Sequence, residues 1–159
     1  ALCEFRATPP SAALALALAE LGLRYQLTTA DPRAPGVNSL LVASRFPLSR
    51  IRVRTAPIEP GRWLLAHVDA PRPFTLGAMH VPNRVTGRKW PFLDAVLSMA
   101  ERWRDGPALL LGDTDAGRPG IDEESPAFNV REGAWIDGLA SAQMTYSPGS
   151  SSVPRQRRW

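Results

Sequence analysis

Short apolar runs bounded by glycine, proline and charged residues recur along the chain and predict a protein rich in β-strands. Three consecutive leucines at residues 109–111, closed by Gly112, are typical of a buried strand. Residues 1–5 predict the end of another buried strand, with Glu4 at or near its last position. At residues 51–54, apolar residues alternate with arginines, as in a half-exposed strand. The predicted strands are residues 1–5, 23–29, 37–44, 51–54, 63–68, 74–80 and 109–111.

Two longer segments predict helices. Thr8 followed by two prolines is a typical helix start, and Gly22 ends the helix predicted over residues 11–21. This helix is apolar on most sides, so we expect it to cover a sheet and pack against it. The helix predicted over residues 90–103 carries one apolar stripe, formed by Phe92, Val96, Met99 and Trp103.

Strands that cluster between helices favour a sandwich of mixed sheets over a strictly alternating parallel fold. The length of 159 residues suits one domain with a stable core. After residue 120 the pattern predicts loops with one short element at residues 134–137. We therefore expect one domain over residues 1–146, followed by a low-complexity basic tail over residues 147–159. Because the chain opens inside a strand-like run and stops without a closing element, we expect a fragment at both ends.

The composition, 44% hydrophobic and 21% charged, is that of a soluble globular protein. The single cysteine, Cys3, excludes an internal disulfide framework, and we expect its side chain to act as a small buried apolar group. No signal peptide is visible, and no apolar run approaches the ~20 residues of a membrane span. The compartment and the oligomeric state stay open.

Basic residues outnumber acidic residues by 19 to 15, which gives a net charge of +4. Lys89 is the only lysine, and the other 18 basic residues are arginines. The planar fork of arginine suits phosphate, and a basic chain attracts polyanions such as nucleic acid. A GC-rich coding sequence would produce the same excess of arginine, and we favour that explanation for the composition as a whole.

Polar side chains recur where the predicted strands end, at Glu4, at His80, and at Asp113 with Asp115. Strand ends can converge on one edge of a sheet although they lie far apart in sequence. Carboxylates with one imidazole would bind a hard divalent cation and move a proton. For Asp113 and Asp115 the alternative is a turn closed by Asx-type hydrogen bonds. For Glu4 the alternative is an ion pair with a nearby arginine, and for His80 it is a hydrogen-bonded position in the core. The residues alone do not decide between a site and these structural roles.

Sequence motifs of other kinds of site do not occur in the chain. There is neither a phosphate-binding glycine loop with lysine nor a glycine-rich dinucleotide turn. No cysteine and histidine spacing fits a zinc site. His67 lies inside an apolar run and is interpreted as structural.

Six segments in order resemble the endonuclease/exonuclease/phosphatase superfamily, the proteins with a DNase I-like fold, and together they cover residues 1 to about 146. In one of them, Gly-Asp-Thr-Asp at residues 112–115 lies where that family carries Gly-Asp-x-Asn. The segments are Leu-Cys-Glu at residues 2–4, an apolar strand with Ser-Arg and Pro-Leu at residues 36–48, a strand with His and then Pro at residues 77–83, a helix start at residues 89–97, the acidic strand end at residues 110–115, and Trp-Ile-Asp at residues 135–137.

The resemblance implies an α/β, DNase I-like sandwich of two mixed β-sheets flanked by helices, incomplete at its N- and C-termini. It also implies hydrolysis of phosphodiesters or phosphomonoesters with Mg²⁺ or Mn²⁺. In that pattern Glu4 binds the metal, Asp113 orients or activates the attacking water, and His80 contacts or protonates a phosphate oxygen. Asp115 falls at a further catalytic position and Asn83 at a substrate-binding position. The substrate stays open among nucleic acids, phosphoinositides, sphingomyelin and other phosphate esters.

The chain departs from the family pattern at three places. A strand with an asparagine would precede Ala1, and a Ser-Asp-His segment would follow Trp159. Asp115 replaces an asparagine, which exchanges an amide donor for an anion that repels phosphate; it could instead bind metal or be held protonated. We expect the 159 residues to be inactive by themselves, and the full-length parent to be a phosphoesterase if its ends restore the missing groups. The alternative is a degenerate, non-catalytic member that binds nucleic acid or another partner through its arginines.

Overall fold

The computed structural model describes residues 1–54, 56–122 and 127–144, which form a mixed α/β structure with two β-sheets. The strands are β1 Leu2–Phe5, β2 Tyr25–Thr28, β3 Ser39–Ser44, β4 Leu48–Ile51, β5 Trp63–Val68, β6 Phe74–His80 and β7 Ala108–Asp113. The helices are α1 Pro9–Glu20, α2 Lys89–Arg102 and α3 Val130–Met144, with a 3₁₀ helix at Arg84–Thr86. The tail predicted over residues 147–159 lies outside the described residues. None of the helices in these ranges is long and apolar enough to cross a membrane.

The strands form one sheet of three strands and one of four. The smaller sheet has the order β1-β3-β2 and is antiparallel throughout. The larger sheet has the order β4-β5-β6-β7, and its β6–β7 pair is parallel while the others are antiparallel. The prediction of two mixed sheets is therefore confirmed for the larger sheet and wrong for the smaller one. Helix α2 makes the crossover that parallel pairing of β6 with β7 requires.

The larger sheet contributes to two separate apolar cores, one on each face. On β5, Leu64 belongs to the core between the two sheets, together with Leu40 and Val42 of β3. Its neighbour Leu65 points to the other face, because successive side chains of a strand alternate. The helix-side core contains Trp63, Leu65, Met79, Val81, Phe92, Leu93, Val96, Met99 and Trp135. The result is three layers: the smaller sheet, the larger sheet, and α2 with α3.

Most of the predicted elements are confirmed. Strands β5 and β6 have the bounds predicted at residues 63–68 and 74–80. Helices α1 and α2 begin two residues and one residue earlier than the helices predicted over residues 11–21 and 90–103. Strong period-two and period-3.6 patterns between turn residues identify such elements well.

The strand predicted over residues 51–54 is wrong, because β4 ends at Ile51. The alternation of apolar residues with arginines at residues 51–54 still matches the burial of their side chains. Val53 packs against the helix-side core, whereas Arg52 and Arg54 are exposed. The pattern therefore identified which side chains face the core without implying backbone pairing.

Strands β7 and β1 were both predicted to be buried, and both predictions are wrong. Leu109 and Leu111 are 46% and 40% exposed, and Leu2 is 39% exposed. Each strand lies at the edge of its sheet. On β7, Leu110 packs against the helix-side core, whereas Leu109 and Leu111 point to the opposite face of the sheet and are exposed. An apolar run alone does not distinguish a central strand from an edge strand.

Helix α1 is not the packed covering helix that we expected, because none of its residues is buried. Its leucines alternate with alanines, so apolar residues lie on all sides of the helix and no face is singled out for packing. Leu16 is 68% exposed. The side-chain amide of Gln26 on β2 donates to the carbonyl of Ala15 at 2.8 Å, which joins the helix to the smaller sheet.

Helix α3 is much longer than the short element predicted over residues 134–137. Gly133 and Gly138 weaken the helical pattern of the sequence, because glycine disfavours helix interiors. Contacts with α2 compensate: Trp135 is buried, and its indole N–H donates to the carbonyl of Leu93 at 2.8 Å. Tertiary packing therefore overrides a weak local preference.

Candidate active site

The parallel pairing of β6 with β7 places His80 directly beside Asp113 at the ends of the two strands. Immediately beyond them, the N–H of Val81 donates to the carbonyl of Asp113 at 2.9 Å. Gly112 has a φ of +145°, and a Cβ there would collide with the backbone carbonyl of Met79. Glycine is therefore required at the position that lets β7 approach β6 closely just before Asp113.

Glu4 reaches the ends of β6 and β7, the edge called the rim below, from the smaller sheet. Its neighbour Cys3 donates from Sγ to the carbonyl of Met79 at 3.4 Å, which ties β1 to the end of β6. The amide of Asn38 donates to Oε1 of Glu4 at 3.2 Å, and Arg6 donates to the side-chain oxygen of Asn38 at 2.6 Å. Arg6 therefore supports Glu4 through Asn38 rather than by a direct ion pair. Glu4 and Asp113 thus both lie near enough to His80 for their charges to act on its imidazole.

His80 is the buried member of this group, with only 8% of its surface exposed. Burial lowers the pKa of its imidazole below the ordinary 6.5, and the nearby Arg62 lowers it further. The charges of Asp113, Glu4 and Asp115 oppose this shift without reversing it. Nδ1 has no hydrogen-bond partner in the described part of the chain. Near neutral pH the ring is therefore uncharged and able to accept a proton.

Lowering the pH from about 7.5 to 5.5 should reduce the free energy of unfolding, and this loss should be smaller in His80→Gln. The pKa of His80 is lower in the folded protein than its ordinary value, so the unfolded chain takes up a proton first as the pH falls through 6.5. That uptake favours unfolding, and the stability present above pH 6.5 is lost below it. Urea titrations at a series of pH values measure the effect. Equal slopes in wild type and His80→Gln would contradict the prediction.

The Asx turn, which we considered as an alternative role for the acidic pair, is present. Oδ1 of Asp113 accepts the N–H of Asp115 at 3.1 Å. The carboxylate of Asp113 is nevertheless exposed at the rim beside His80. Closing this turn therefore does not remove Asp113 from the site.

Glu4 and Asp115 are the two non-glycine residues with positive φ in the described part of the chain, at +58° and +43°. Glu4 lies where the pairing of β1 with β3 shifts register between Leu2 and Phe5. Left-handed backbone is costly for residues with a side chain and clusters at functional sites. Both strained residues lie near His80, since the charges of both affect its pKa.

A buried ion-pair network, which was not predicted from the sequence, adjoins the turn. The Lys89 side chain is 2% exposed, and Nζ lies 3.0 Å from Oε1 of the fully buried Glu132. Nζ also lies 3.5 Å from Oδ2 of Asp115 and donates to the carbonyl of that residue. The carboxylate of Asp115 is therefore paired with a buried ammonium group. Burial alone would raise the pKa of Glu132, but hydrogen bonds from Lys89 and from the N–H of Asn129 lower it overall.

Asn83 makes no side-chain hydrogen bond to Glu4, His80 or Asp113. It is exposed and precedes the 3₁₀ helix, and its side chain makes no hydrogen bond to the described residues. Its backbone carbonyl accepts the hydroxyl of Thr86 at 3.0 Å. Its substrate-binding role stays a prediction. Arg62 was missed by the sequence analysis, and its guanidinium lies 3.4 Å from the carbonyl of His80.

The rim presents two exposed carboxylates, those of Glu4 and Asp113, as candidate ligands of a metal ion. Among the described residues, no three His, Cys, Asp or Glu side chains are close enough to share one metal ion. Magnesium commonly keeps several waters and binds proteins through one or two carboxylates together with substrate phosphate. The exposed carboxylate of Glu4, held by Asn38, and the exposed Asp113 nearby suit that mode.

Comparison of the chain with protein-family models found no matching model, and comparison with curated proteins found no match.

Proposed function

We propose that this domain belongs to a Mg²⁺- or Mn²⁺-dependent phosphoesterase of the endonuclease/exonuclease/phosphatase type, with a DNase I-like sandwich. The observation that carries the proposal is the meeting of Glu4, His80 and Asp113 at one rim between the two sheets. Backbone strain at Glu4 and Asp115 supports a functional role for this rim. The packing of two sheets with α2 and α3 on the outer face supports the fold assignment.

Each residue of the site has a chemical role under this proposal. Glu4 would hold the cation, which when bound polarises a phosphoryl oxygen as a Lewis acid. Asp113 orients the attacking water and accepts its proton, because its carboxylate is exposed and held by the turn. The uncharged ring of His80 contacts a phosphate oxygen, and Asn83 binds the substrate beyond the end of β6.

Binding of nucleic acid through arginines, without catalysis, has less support from the contacts. Several exposed arginines already pair with carboxylates, which reduces the charge available to phosphates. These pairs are Arg33–Asp31, Arg84–Glu132, Arg88–Glu59, Arg118–Asp137 and Arg131–Asp94. This alternative predicts salt-sensitive DNA binding with no cleavage at any cation concentration.

Replacement of Glu4 tests the proposed function. Glu4→Gln should weaken Mn²⁺ binding at least about tenfold, because even supporting groups of a metal site contribute that much to affinity. Electron paramagnetic resonance titration of Mn²⁺ measures binding. Release of nitrophenol from bis(p-nitrophenyl) phosphate measures hydrolysis, both for this chain and for the chain with any flanking sequence that its gene encodes.

Glu20→Gln, an exposed change at the end of α1, is the matched control and should bind Mn²⁺ as the wild type does. Hydrolysis should require added Mg²⁺ or Mn²⁺ and stop with a chelator. Cation affinity that is equal in Glu4→Gln and the wild type, or hydrolysis that persists in the chelator, would overturn the proposal.

A further inference from the structure

Lys89 lies at the junction of three parts of the fold. It is the first residue of α2, and its ammonium group faces Glu132 of α3 at 3.0 Å. The same group donates to the carbonyl of Asp115 and lies 3.5 Å from the carboxylate of that residue, in the turn that follows β7. The buried ammonium group of Lys89 therefore links helices α2 and α3 to the rim of the candidate site.

The arrangement of acceptors at this position suits lysine. An ammonium group has three donors that can point in separate directions, whereas the five donors of arginine lie in one plane. Here three acceptors surround Nζ: Oε1 of Glu132, and the carbonyl and Oδ2 of Asp115. In a chain with 18 arginines, the only lysine occupies this position.

Charge in this cluster is balanced. Lys89 and Arg84 carry positive charges, and Glu132 and Asp115 carry negative charges. Glu132 is already paired with Arg84 at 3.1 Å and accepts the N–H of Asn129 at 2.7 Å. Anchoring of α2 to α3 would need only Lys89 and Glu132, so the two contacts with Asp115 point to a role beyond joining helices.

We propose that Lys89 is the positioning residue of the Asp113–Asp115 turn, an inference that rests on the proposed function. Its contact with the carbonyl of Asp115 holds that residue in its left-handed conformation, and the N–H of Asp115 in turn holds the carboxylate of Asp113. Its charge offsets the carboxylate of Asp115, so the turn can face an anionic phosphate ester although an aspartate occupies this position.

The double variant Lys89→Met/Glu132→Gln tests both parts of the proposal. It removes both buried charges together, which is far less damaging than removing one, and Gln keeps an acceptor for the N–H of Asn129. The order parameter of the Asp115 amide, measured by NMR relaxation, should fall from about 0.85 to below about 0.6. The KM for a phosphate ester should rise about tenfold, and kcat should fall about a hundredfold because Asp113 is misplaced.

The matched control is Asp94→Asn/Arg131→Gln, which removes an exposed ion pair of 3.0 Å between the same two helices without contact to the turn. It should leave the order parameter, KM and kcat unchanged. A folded Lys89→Met/Glu132→Gln variant in which Asp115 stays rigid overturns the inference, whatever the activity. If the chain with the flanking sequence that its gene encodes is inactive with both cations while Asp115 is mobile in the double variant, the proposed function is overturned and the positioning role is supported.

A second measurement does not depend on the folding of the double variant. Because the chain has one lysine, ¹⁵Nζ-labelled lysine gives a single resonance that reports on Lys89. Asp115→Asn changes an exposed side chain and should shift that resonance, because the carboxylate lies 3.5 Å from Nζ. Asp94→Asn should not shift it. An unchanged resonance in Asp115→Asn overturns the inference.

Discussion

In the chain with the flanking sequence that its gene encodes, Asp113→Asn should lower the kcat of Mg²⁺-dependent phosphate-ester hydrolysis by about 10²- to 10⁴-fold and leave the thermal midpoint unchanged. The substituted amide retains an oxygen that can accept the N–H of Asp115, so the turn should persist. It cannot accept a proton from water, so the chemical step loses its base. Asp113→Ala should lose the same activity and, in addition, about 1 kcal/mol of stability, because the hydrogen bond of the turn is removed.

The comparison of the two substitutions separates the roles of Asp113 in the turn and in the reaction. Steady-state kinetics and thermal unfolding of both variants provide the measurement. Asp105→Asn, an exposed change in the loop before β7, should behave as the wild type in both assays. Full turnover in Asp113→Asn with reduced stability in Asp113→Ala would mean that Asp113 only closes the turn.

Glu132→Ala should lower the free energy of unfolding by about 3–5 kcal/mol, the largest effect on stability that we expect from a single polar substitution in this chain. Glu132 is completely buried and accepts hydrogen bonds from Lys89, Arg84 and the N–H of Asn129. Its removal leaves the ammonium group of Lys89 buried, with its contacts to Asp115 and to the ring of Trp90 but with no paired buried carboxylate among the described residues.

Chemical denaturation with urea measures this loss. Asp94→Ala is the control, because it breaks an exposed ion pair between the same helices and should cost only about 0.2–1 kcal/mol. Lys89→Met/Glu132→Gln should be markedly more stable than Glu132→Ala, since no single charge is left buried. A loss in Glu132→Ala no larger than in Asp94→Ala would show that the buried pair does not stabilise the fold.

Local patterns explain which parts of the fold the sequence could predict. Strands β5 and β6 and helix α2 combine a clear period with turn residues at their ends, so the sequence predicted the bounds of both strands and placed those of the helix within one residue. The exposure of Leu109 and Leu111 depends on which strand lies at the edge of the sheet. No local pattern encodes that position.

The candidate site was predictable to the extent that it depends on strand ends. Glu4, His80 and Asp113 were identified because polar residues follow apolar runs, and the parallel register of β6 with β7 aligns two of them. The network of Lys89 with Glu132 joins residues 43 positions apart, so neither position predicts the other. The single lysine among arginines was the one signal that could have indicated it.

The two left-handed carboxylate residues, Glu4 and Asp115, place opposing demands on this protein. Glycine at either position would relax the backbone but would remove an acidic group from the rim. Directed evolution for heat resistance alone should therefore introduce glycine there, whereas selection for turnover should retain the acids. A thermostable variant that keeps its activity must acquire its stabilising substitutions elsewhere, for instance on the exposed surface of α1.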